Sequence, residues 1–316
     1  MKGPDNPPAV VIAGPTASGK SALALALAEA LGGAIVNADS QQVYRDLFIL
    51  TARPGPEAEA RVPHRLYGWL DAAERGSAAR WRTLALAAMT EARAEGRLPI
   101  VVGGTGLYLA ALLRGLAPIP AIPPAIRAEA GEIHRRSGGQ GLREALAALD
   151  PEGAAALQPA DRPRLLRAWE VVRATGLPIA EWRERPPPAA PWRFATILLL
   201  PPRAELYAAC DTRFAAMLER GALEEAAALA ARGLDPALPA MKALGVPQLL
   251  RHLRGELTLA AAIEAGQRAT RNYAKRQTTW FRHQLAADLV LCEQFSERLL
   301  HRSRQFIDGF LLTRRD

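Results

Sequence analysis

One short segment near the N-terminus constrains the fold more than any other part of the chain. Residues 9–13 form a short apolar, β-branched run that is typical of a buried strand. The run leads into Gly14-Pro-Thr-Ala-Ser-Gly-Lys-Ser21, which has the spacing G-x-x-x-x-G-K-[ST]. An Ala- and Leu-rich helical pattern follows and ends at Gly32-Gly33. A strand, a glycine-rich loop and a helix in this order predict a phosphate-binding loop.

The lysine of this loop supports that prediction, because lysine is rare in the chain. Only four of the 40 Lys and Arg residues are lysines: Lys2, Lys20, Lys242 and Lys275. In such a loop, backbone N–H groups and the positive helix end surround an anion, and a lysine adds a compact charge on a flexible stem. The alternative is a glycine-rich turn that only joins strand to helix. Spacing and context together favour phosphate binding by Gly14, Pro15, Thr16, Ala17, Ser18, Gly19, Lys20 and Ser21.

Strand and helix patterns alternate after this loop. Strands are predicted at 34–39, 99–104 and 192–200, and helices at 77–95 and 107–113. This alternation predicts an α/β fold, with a mostly parallel sheet covered by helices on both faces. The fold class is thus a P-loop NTPase-like core.

The middle of the chain interrupts this alternation. Residues 118–193 have Pro- and Ala-rich ends and helical patterns between them, which predicts an inserted helical domain. Residues 1–117 and 194–316 then form the catalytic core, and its C-terminal region is helical from 203 to about 285. The polar residues beyond this point are expected to be loosely held.

Composition is typical of an ordinary globular protein, with 49% hydrophobic and 23% charged residues. The two cysteines, Cys210 and Cys292, have no metal-binding spacing and are expected to be free, buried thiols in a reducing compartment. The five histidines show no paired ligand spacing either, so no zinc site is predicted. No apolar run could cross a bilayer, and the N-terminal segment lacks the apolar core of a signal peptide. We expect a cytoplasmic monomer without a membrane partner.

Positive charge is concentrated near the C-terminus. The net charge is +8, and residues 242–282 contain eight Lys or Arg and two Glu. Aromatic residues (Tyr273, Trp280 and Phe281) lie among cations whose spacing places them on one helical face, namely Arg268, Arg271, Lys275 and Arg282. Such a helix could bind single-stranded RNA through phosphate contacts and base stacking. The alternative is a solvated basic face with aromatic residues packed inward.

A carboxylate ends the second predicted strand. Asp39 stands there, whereas the later strands run into Gly103-Gly104-Thr105 and Pro201-Pro202. Because the carboxyl ends of parallel strands line the ligand crevice, Asp39, Thr105 and the phosphate loop are expected to meet. The alternative is that Asp39 or Ser40 caps a helix N-terminus.

These pieces together resemble the tRNA dimethylallyltransferase (tRNA isopentenyltransferase) family of bacterial type. The matching blocks run in family order over nearly the whole chain: residues 14–21, Asp39-Ser-Gln-Gln-Val-Tyr44, Thr51-Ala-Arg-Pro54, Val101-Val-Gly-Gly-Thr-Gly-Leu-Tyr108, Arg164-Leu-Leu-Arg-Ala-Trp-Glu170 and Lys275-Arg-Gln-Thr-Thr-Trp280. The chain departs from the family pattern at Gly245-Val246-Pro247, where members often have Gly-Tyr-Arg/Lys. It departs again at Leu47-Phe-Ile-Leu-Thr51.

The resemblance implies transfer of a dimethylallyl group from its diphosphate to N6 of the adenosine 3′ of the anticodon in tRNA. The glycine-rich loop and Arg213 would then hold the donor diphosphate, with Mg²⁺ bound at Ser21. The implied catalytic residues are Asp39 as general base, with Lys20 and Thr105. The adenine would leave its stack to reach them. The implied tRNA contacts are Asp39, Ser40, Gln41, Gln42, Thr105, Arg127, Pro163, Arg164, Leu165, Leu166, Arg167, Lys242, Lys275, Arg276, Gln277, Thr278, Thr279, Trp280, Phe281 and Arg282.

Three other functions share parts of this pattern. A small-molecule or nucleotide kinase would use the same loop for ATP. An isopentenyltransferase acting on free adenine nucleotides would have no use for the basic C-terminal helix. A non-catalytic RNA-binding protein could use a nucleotide as a switch. The combination of loop, carboxylate and basic helix favours the tRNA-modifying enzyme.

Overall fold

A six-stranded sheet forms the centre of the larger part of the molecule, and all of its neighbouring strands pair in parallel. The structure is a computed structural model that describes residues 6–185 and 190–313. Its strands are β1 (Pro8–Ala13), β2 (Gly33–Asn37), β3 (His64–Arg65), β4 (Leu98–Gly103), β5 (Arg193–Leu199) and β6 (Leu289–Leu291). Their order is β3-β2-β4-β1-β5-β6. The predicted α/β fold class with a parallel sheet is confirmed.

Helices cover both faces of this sheet. The helices of the described residues, of which α5–α8 belong to the smaller unit described below, are α1 (Lys20–Leu31), α2 (Pro56–Arg61), α3 (Ala78–Ala94), α4 (Gly106–Arg114), α5 (Pro124–Ala147), α6 (Pro151–Ala155), α7 (Arg162–Thr175), α8 (Ile179–Glu184), α9 (Arg203–Glu219), α10 (Ala222–Ala231), α11 (Val246–Leu253), α12 (Leu259–Gln284) and α13 (Glu297–Leu312). One face packs against α1 and α13. The opposite face packs against α3, α4 and α9–α12.

The sequence of β1 explains why it lies at the centre. Ala9, Val11 and Ala13 belong to the apolar cluster on one face, and Val10 and Ile12 belong to the cluster on the other. Successive side chains of a strand point to opposite faces, so a continuous apolar run buries both. The two neighbours of β1 are β4 and β5.

Residues 114–189 form a separate compact unit, whose described residues contain helices and no strand. Its helices enclose an apolar core of their own around Leu142, Leu165 and Trp169. A backbone break at Gly138 (φ 67°, ψ −167°) bends α5. The other unit contains residues 1–113 and 190–316. The predicted boundary at 193/194 falls inside β5 and is corrected, because Ala190 and Trp192 are already buried in the core beside the sheet.

The expectation that the chain is loosely held after residue 285 is wrong. Residues 289–291 add β6 to the edge of the sheet, and α13 follows. The α13 residues at a spacing of four, Leu299, Ser303 and Ile307, are buried beneath its polar surface. The mostly polar composition of this segment concealed the apolar stripe. The two-residue strand β3 was also missed, since so short a pairing has no sequence signal.

The sequence analysis also made smaller predictions about the cysteines, a membrane-spanning segment and a signal segment. Both cysteines are free, but only Cys210 is buried; Cys292 is exposed, which corrects the expectation for it. No helix in the described ranges is long and apolar enough to cross a membrane. Residues 1–5, on which the expectation about a signal segment partly depends, and residues 186–189 of the predicted insertion lie outside the described residues.

Candidate active site

The glycine-rich loop joins β1 to α1 and presents backbone donors at its end. Gly19 has φ 87°, and a Cβ at this position would lie 2.9 Å from Cβ of Phe295, so only glycine fits. Within the described chain, no acceptor is found for the backbone N–H groups of Ala17, Lys20 and Ser21. The N-terminus of a helix with free N–H groups is a binding site for anions such as phosphate. The hydroxyl of Ser18 is buried in the same loop and finds no hydrogen-bond partner among the described residues.

Two cations complete the anion site. Lys20 is 8% exposed, and its ammonium donates a hydrogen bond to the carbonyl oxygen of Pro15 at 3.2 Å. Burial lowers the pKa of Lys20 to about 8, although the charge of Asp39 opposes the shift. Arg213 extends from α9 and donates a hydrogen bond to the hydroxyl of Thr16. Burial lowers the pKa of Arg213 as well, although the charges of Cys210 and Asp39 oppose the shift.

The side chain of Asn37 at the end of β2 holds Asp39 in place. Asn37 Oδ1 accepts the Asp39 backbone N–H at 2.8 Å, and its Nδ2 donates to the carbonyl oxygens of Asp39 at 3.0 Å and Leu66 at 3.1 Å. The half-buried carboxylate of Asp39 accepts the Gln41 backbone N–H at Oδ1, at 2.9 Å. Oδ2 accepts no hydrogen bond from the described residues. Residues 38–51 contain no helix, so the alternative of a helix cap is wrong.

Thr105 joins the loop after β4 to the Asp39 loop. Its hydroxyl accepts the Ser40 backbone N–H at 2.9 Å and donates to Ser40 Oγ at 3.1 Å. Burial together with the Asp39 charge raises the pKa of Tyr273 of α12, which faces Thr105 and Gln41. The carboxyl ends of β2 and β4 therefore meet as predicted, and α12 closes the third side.

Gln277 of α12 lies inside the protein, which corrects the expectation that its side chain is available to tRNA. Its Oε1 accepts the Thr16 backbone N–H at 2.8 Å, and its Nε2 donates to the carbonyl oxygen of Gly104 at 2.8 Å. One buried amide thus connects the phosphate loop to the loop after β4. Gln42 is also engaged, because its Nε2 donates to the carbonyl oxygens of Thr51 and Ala52 at 2.9 Å.

The remaining residues of the α12 block divide into an outer and an inner group. Lys275, Arg276, Thr279 and Trp280 line an open concavity of about 490 Å³, together with Asn272, which the sequence analysis did not select. Arg282, which follows Trp280 by two positions, is also exposed. The Trp280 ring packs on Gly106, where an added Cβ would lie 2.4 Å from it.

Three residues of α12 that the sequence analysis assigned to tRNA contact or to the basic face are engaged within the protein. Phe281 is fully buried in the core and is unavailable to tRNA, which corrects that expectation. The Thr278 hydroxyl donates to the carbonyl oxygen of Ala274 at 2.9 Å. Arg271 forms an ion pair with Asp211 of α9, with the nearest atoms 2.6 Å apart.

The variant segment at the start of α11 has a structural explanation. Val246 is fully buried in the core, and Pro247 lies in the first turn of α11, where its missing N–H costs nothing. Lys242, four residues earlier, is exposed.

In the smaller unit, the predicted contacts fall on α5 and α7. Arg127, Pro163 and Arg164 are exposed, and Arg164 pairs with Asp161 at 3.2 Å. Arg167 lies 3.9 Å from Glu170, and burial together with the charge of Arg127 lowers its pKa. Leu165 is fully buried in the core of this unit, which corrects its expected contact, and Leu166 packs beside it.

Sequence reasoning missed Glu225 of α10, which fixes the segment after Asp39. Its carboxylate accepts three consecutive backbone N–H groups, those of Phe48 and Ile49 at 2.7 Å and of Leu50 at 2.8 Å. Leu50 and Glu225 are 175 positions apart in the sequence. Glu225 stands in an Ala-rich helix next to Glu224, so no local pattern distinguishes it.

Comparison with known proteins agrees with this geometry. The family described as IPP transferase matches residues 42–284. A protein of Rhodospirillum centenum named tRNA dimethylallyltransferase is 62% identical over 288 residues, which cover 90% of this chain and 91% of the relative. A second protein of that name, from Parvibaculum lavamentivorans, is 57% identical over 311 residues, which cover 97% and 98% of the two chains.

Solved structures are also similar. The full-length tRNA isopentenylpyrophosphate transferase of Bacillus halodurans has a TM-score of 0.71 and 33% identity, with 97% of each chain covered. A eukaryotic dimethylallyltransferase, described as acting on tRNA, has a TM-score of 0.82 and 27% identity, covering 96% of this chain and 80% of that one. With a phosphate loop, a carboxylate and a basic helix in one place, and a family match over most of its length, the chain belongs to the IPP transferase family of prenyltransferases.

Proposed function

We propose that this enzyme transfers a dimethylallyl group from dimethylallyl diphosphate to N6 of the adenosine that follows the anticodon on its 3′ side in tRNA. The observation that carries the proposal is the set of hydrogen bonds that joins the phosphate loop to the Asp39 loop: Gln277 bridges Thr16 and Gly104, and the next residue, Thr105, binds Ser40. A leaving-group site and a base therefore face one space. Family membership and the basic surface of α12 support tRNA as the acceptor.

Asp39 acts as the general base in this proposal. The lone pair of an exocyclic adenine nitrogen is delocalised into the ring, so N6 becomes a better nucleophile as it loses a proton. As the new C–N bond forms at C1 of the dimethylallyl group, the C1–O bond breaks and its electron pair leaves with the diphosphate. The N6 proton passes to Asp39, whose Oδ1 is held by the Gln41 N–H while Oδ2 is free to accept it.

The phosphate loop stabilises the departing diphosphate. Lys20, Arg213 and the free N–H groups at the start of α1 surround the anion and gain strength as negative charge develops. The shape of the loop around the anion comes from Gly14, Pro15, Ala17 and Ser18. Lys20 is the cation most sensitive to pH, since its pKa is lowered to about 8.

Ser21 is the residue that would bind Mg²⁺. Its hydroxyl makes no hydrogen bond with the described residues, and no group of three or more His, Cys, Asp or Glu among them could hold a metal. This donor set fits Mg²⁺, which keeps several waters and binds largely through substrate phosphates. When bound, the ion would neutralise charge on the diphosphate.

Transfer RNA would bind through the outer residues of α12, Lys242 and the basic residues of the smaller unit. The adenine is extruded from the anticodon loop so that N6 reaches Asp39, Thr105 and Tyr273. Trp280, held flat against Gly106, offers a stacking surface for a base. A monomeric state and a cytoplasmic location are part of the proposal.

The test is incubation with labelled dimethylallyl diphosphate and either unmodified tRNA or AMP. We expect label on tRNA and none on AMP. Label on AMP alone would replace tRNA by free nucleotide as the acceptor. Hydrolysis or transfer of phosphate from ATP, without any allyl transfer, would replace the transferase by a kinase.

A further inference from the structure

The short segment between β6 and α13 lies against the phosphate loop. The side-chain amide of Gln294 donates a hydrogen bond from Nε2 to the carbonyl oxygen of Ala17 at 3.4 Å. A Cβ added to Gly19 would lie 2.9 Å from Cβ of Phe295 and 3.6 Å from Oε1 of Gln294. Ala17 (φ 62°) and Gly19 (φ 87°) are the loop residues with left-handed backbone conformations. Two consecutive residues near the C-terminus therefore contact the phosphate loop at both of these positions.

This segment is anchored on either side of Gln294. Before it, β6 pairs with β5, and the Leu200 N–H donates a hydrogen bond to the carbonyl oxygen of Leu291 at 2.8 Å. After it, the Ser296 hydroxyl accepts the Leu299 N–H and caps the N-terminus of α13. Leu299 is fully buried in the core between the sheet and α13. Gln294 thus reaches the phosphate loop from a fixed support.

The carbonyl group that Gln294 holds belongs to a residue in an unfavourable conformation. A left-handed backbone is costly for a residue with a Cβ, and such residues persist where the surrounding structure over-determines them. In phosphate loops, residues of this conformation turn successive backbone N–H groups toward one point and so form an anion-binding concavity. A change of Ala17 to a right-handed conformation would turn its carbonyl oxygen and disturb this arrangement of donors.

We propose that Gln294 is a positioning residue of the diphosphate site, which holds the Ala17 carbonyl and so keeps the phosphate loop in its anion-binding conformation before the ligand arrives. The inference rests on the proposed function only in that it takes the anion to be a diphosphate. A site that is already ordered does not spend binding free energy on becoming ordered. Gln294 therefore acts on the affinity for diphosphate and leaves the chemical step to other residues.

Gln294→Met tests the proposal, because methionine keeps the length of the side chain and has no N–H to donate. We expect the Kd of inorganic diphosphate and the KM of dimethylallyl diphosphate to rise about threefold to tenfold, the scale of one net hydrogen bond. The kcat at saturating donor and the Kd of tRNA should stay within twofold. Gln305→Met is the matched control, since Gln305 is an exposed glutamine on α13, and it should change none of these values.

An unchanged Kd of inorganic diphosphate in Gln294→Met would overturn the proposal. A comparable loss of kcat and of tRNA affinity would overturn it as well, because Gln294 would then support the protein in general.

A second variant tests the link between Gln294 and the conformation of Ala17. Glycine adopts a left-handed backbone at no steric cost, so Ala17→Gly makes the hold on this carbonyl less necessary. In the Ala17→Gly background, we expect Gln294→Met to raise the Kd of inorganic diphosphate by less than twofold. The same rise in both backgrounds would refute the action through Ala17.

These measurements separate two failures. The Kd of inorganic diphosphate requires neither tRNA nor allyl transfer, so it decides the role of Gln294 even if the unmodified enzyme transfers no label. Allyl transfer by the unmodified enzyme, together with an unaffected Gln294→Met variant, would refute the positioning role alone.

Discussion

The two ends of the site are built in different ways. The phosphate end is nearly continuous in sequence, since residues 14–21 supply the loop and the start of α1 supplies the donors. The base end depends on distant elements: beside the local contact of Asn37 with Asp39, Thr105 holds Ser40, and Glu225 fixes the segment that follows. The local end can be predicted from spacing, whereas the assembled end depends on contacts that no spacing encodes. The two ends should therefore respond differently to substitution.

The largest expected effect comes from removing the base. Asp39→Asn keeps the shape and the Oδ1 acceptor for the Gln41 N–H but cannot take a proton at neutral pH. We expect kcat to fall by about a hundredfold to ten-thousandfold, the usual contribution of a general base. The Kd values of inorganic diphosphate and tRNA, measured by titration, should change by less than about threefold, in line with a role only in the transition state.

A large loss of tRNA affinity with normal single-turnover rates would contradict this assignment. It would make Asp39 a tRNA contact and leave the base to be found elsewhere at the carboxyl ends of the strands.

Glu225 tests whether the assembled end depends on remote support. Glu225→Ala leaves three backbone N–H groups without their carboxylate acceptor. We expect the free energy of unfolding to fall by about 2–3 kcal/mol, the scale of charged hydrogen bonds. Because small displacements of catalytic groups are costly, kcat should fall about tenfold to a hundredfold. The Kd of inorganic diphosphate should not change, since Glu225 does not touch the phosphate loop.

Glu224→Ala is the control, because Glu224 is the exposed neighbour on the same helix. If Glu225→Ala lost stability but kept kcat, Glu225 would be structural only, and the segment after Asp39 would not position the base.

The same contrast explains how much could be predicted from the sequence. The strand, loop and helix at 8–31, the parallel sheet and the meeting of Asp39 with Thr105 followed from local pattern and the carboxyl-end rule. Within the KRQTTW block, the sequence did not separate Gln277, which is buried in a bridge, from Lys275 and Trp280, which face outward. Helical spacing identifies neighbours on a helix, but burial depends on what packs against each face.

The pH dependence of donor binding tests the role of Lys20 at the phosphate end of the site. Lys20 carries its charge below its pKa of about 8 and loses it as the pH rises. We expect KM for dimethylallyl diphosphate to rise above pH 8, approaching tenfold per pH unit, because the anion then loses a cationic partner. KM for tRNA should stay level across the same range, since arginines carry most of its binding surface.

Lys20→Met should weaken donor binding at every pH and should remove the rise above pH 8. A rise that persists in Lys20→Met would assign the titration to another group and would leave the role of Lys20 unsupported.

The smallest expected effect concerns the outer surface of α12, where Lys275 borders the concavity next to Trp280. If Lys275 contacts one phosphate of a single-stranded loop, Lys275→Ala should reduce the slope of log Kd against log salt by about 0.7. Arg302→Ala is the control, since Arg302 is an exposed cation on α13, which packs on the opposite face of the sheet. It should leave the slope unchanged. Equal slopes for Lys275→Ala and the unmodified protein would mean that the charge on this face is only solvated, and tRNA recognition would then depend on Lys242 and the smaller unit.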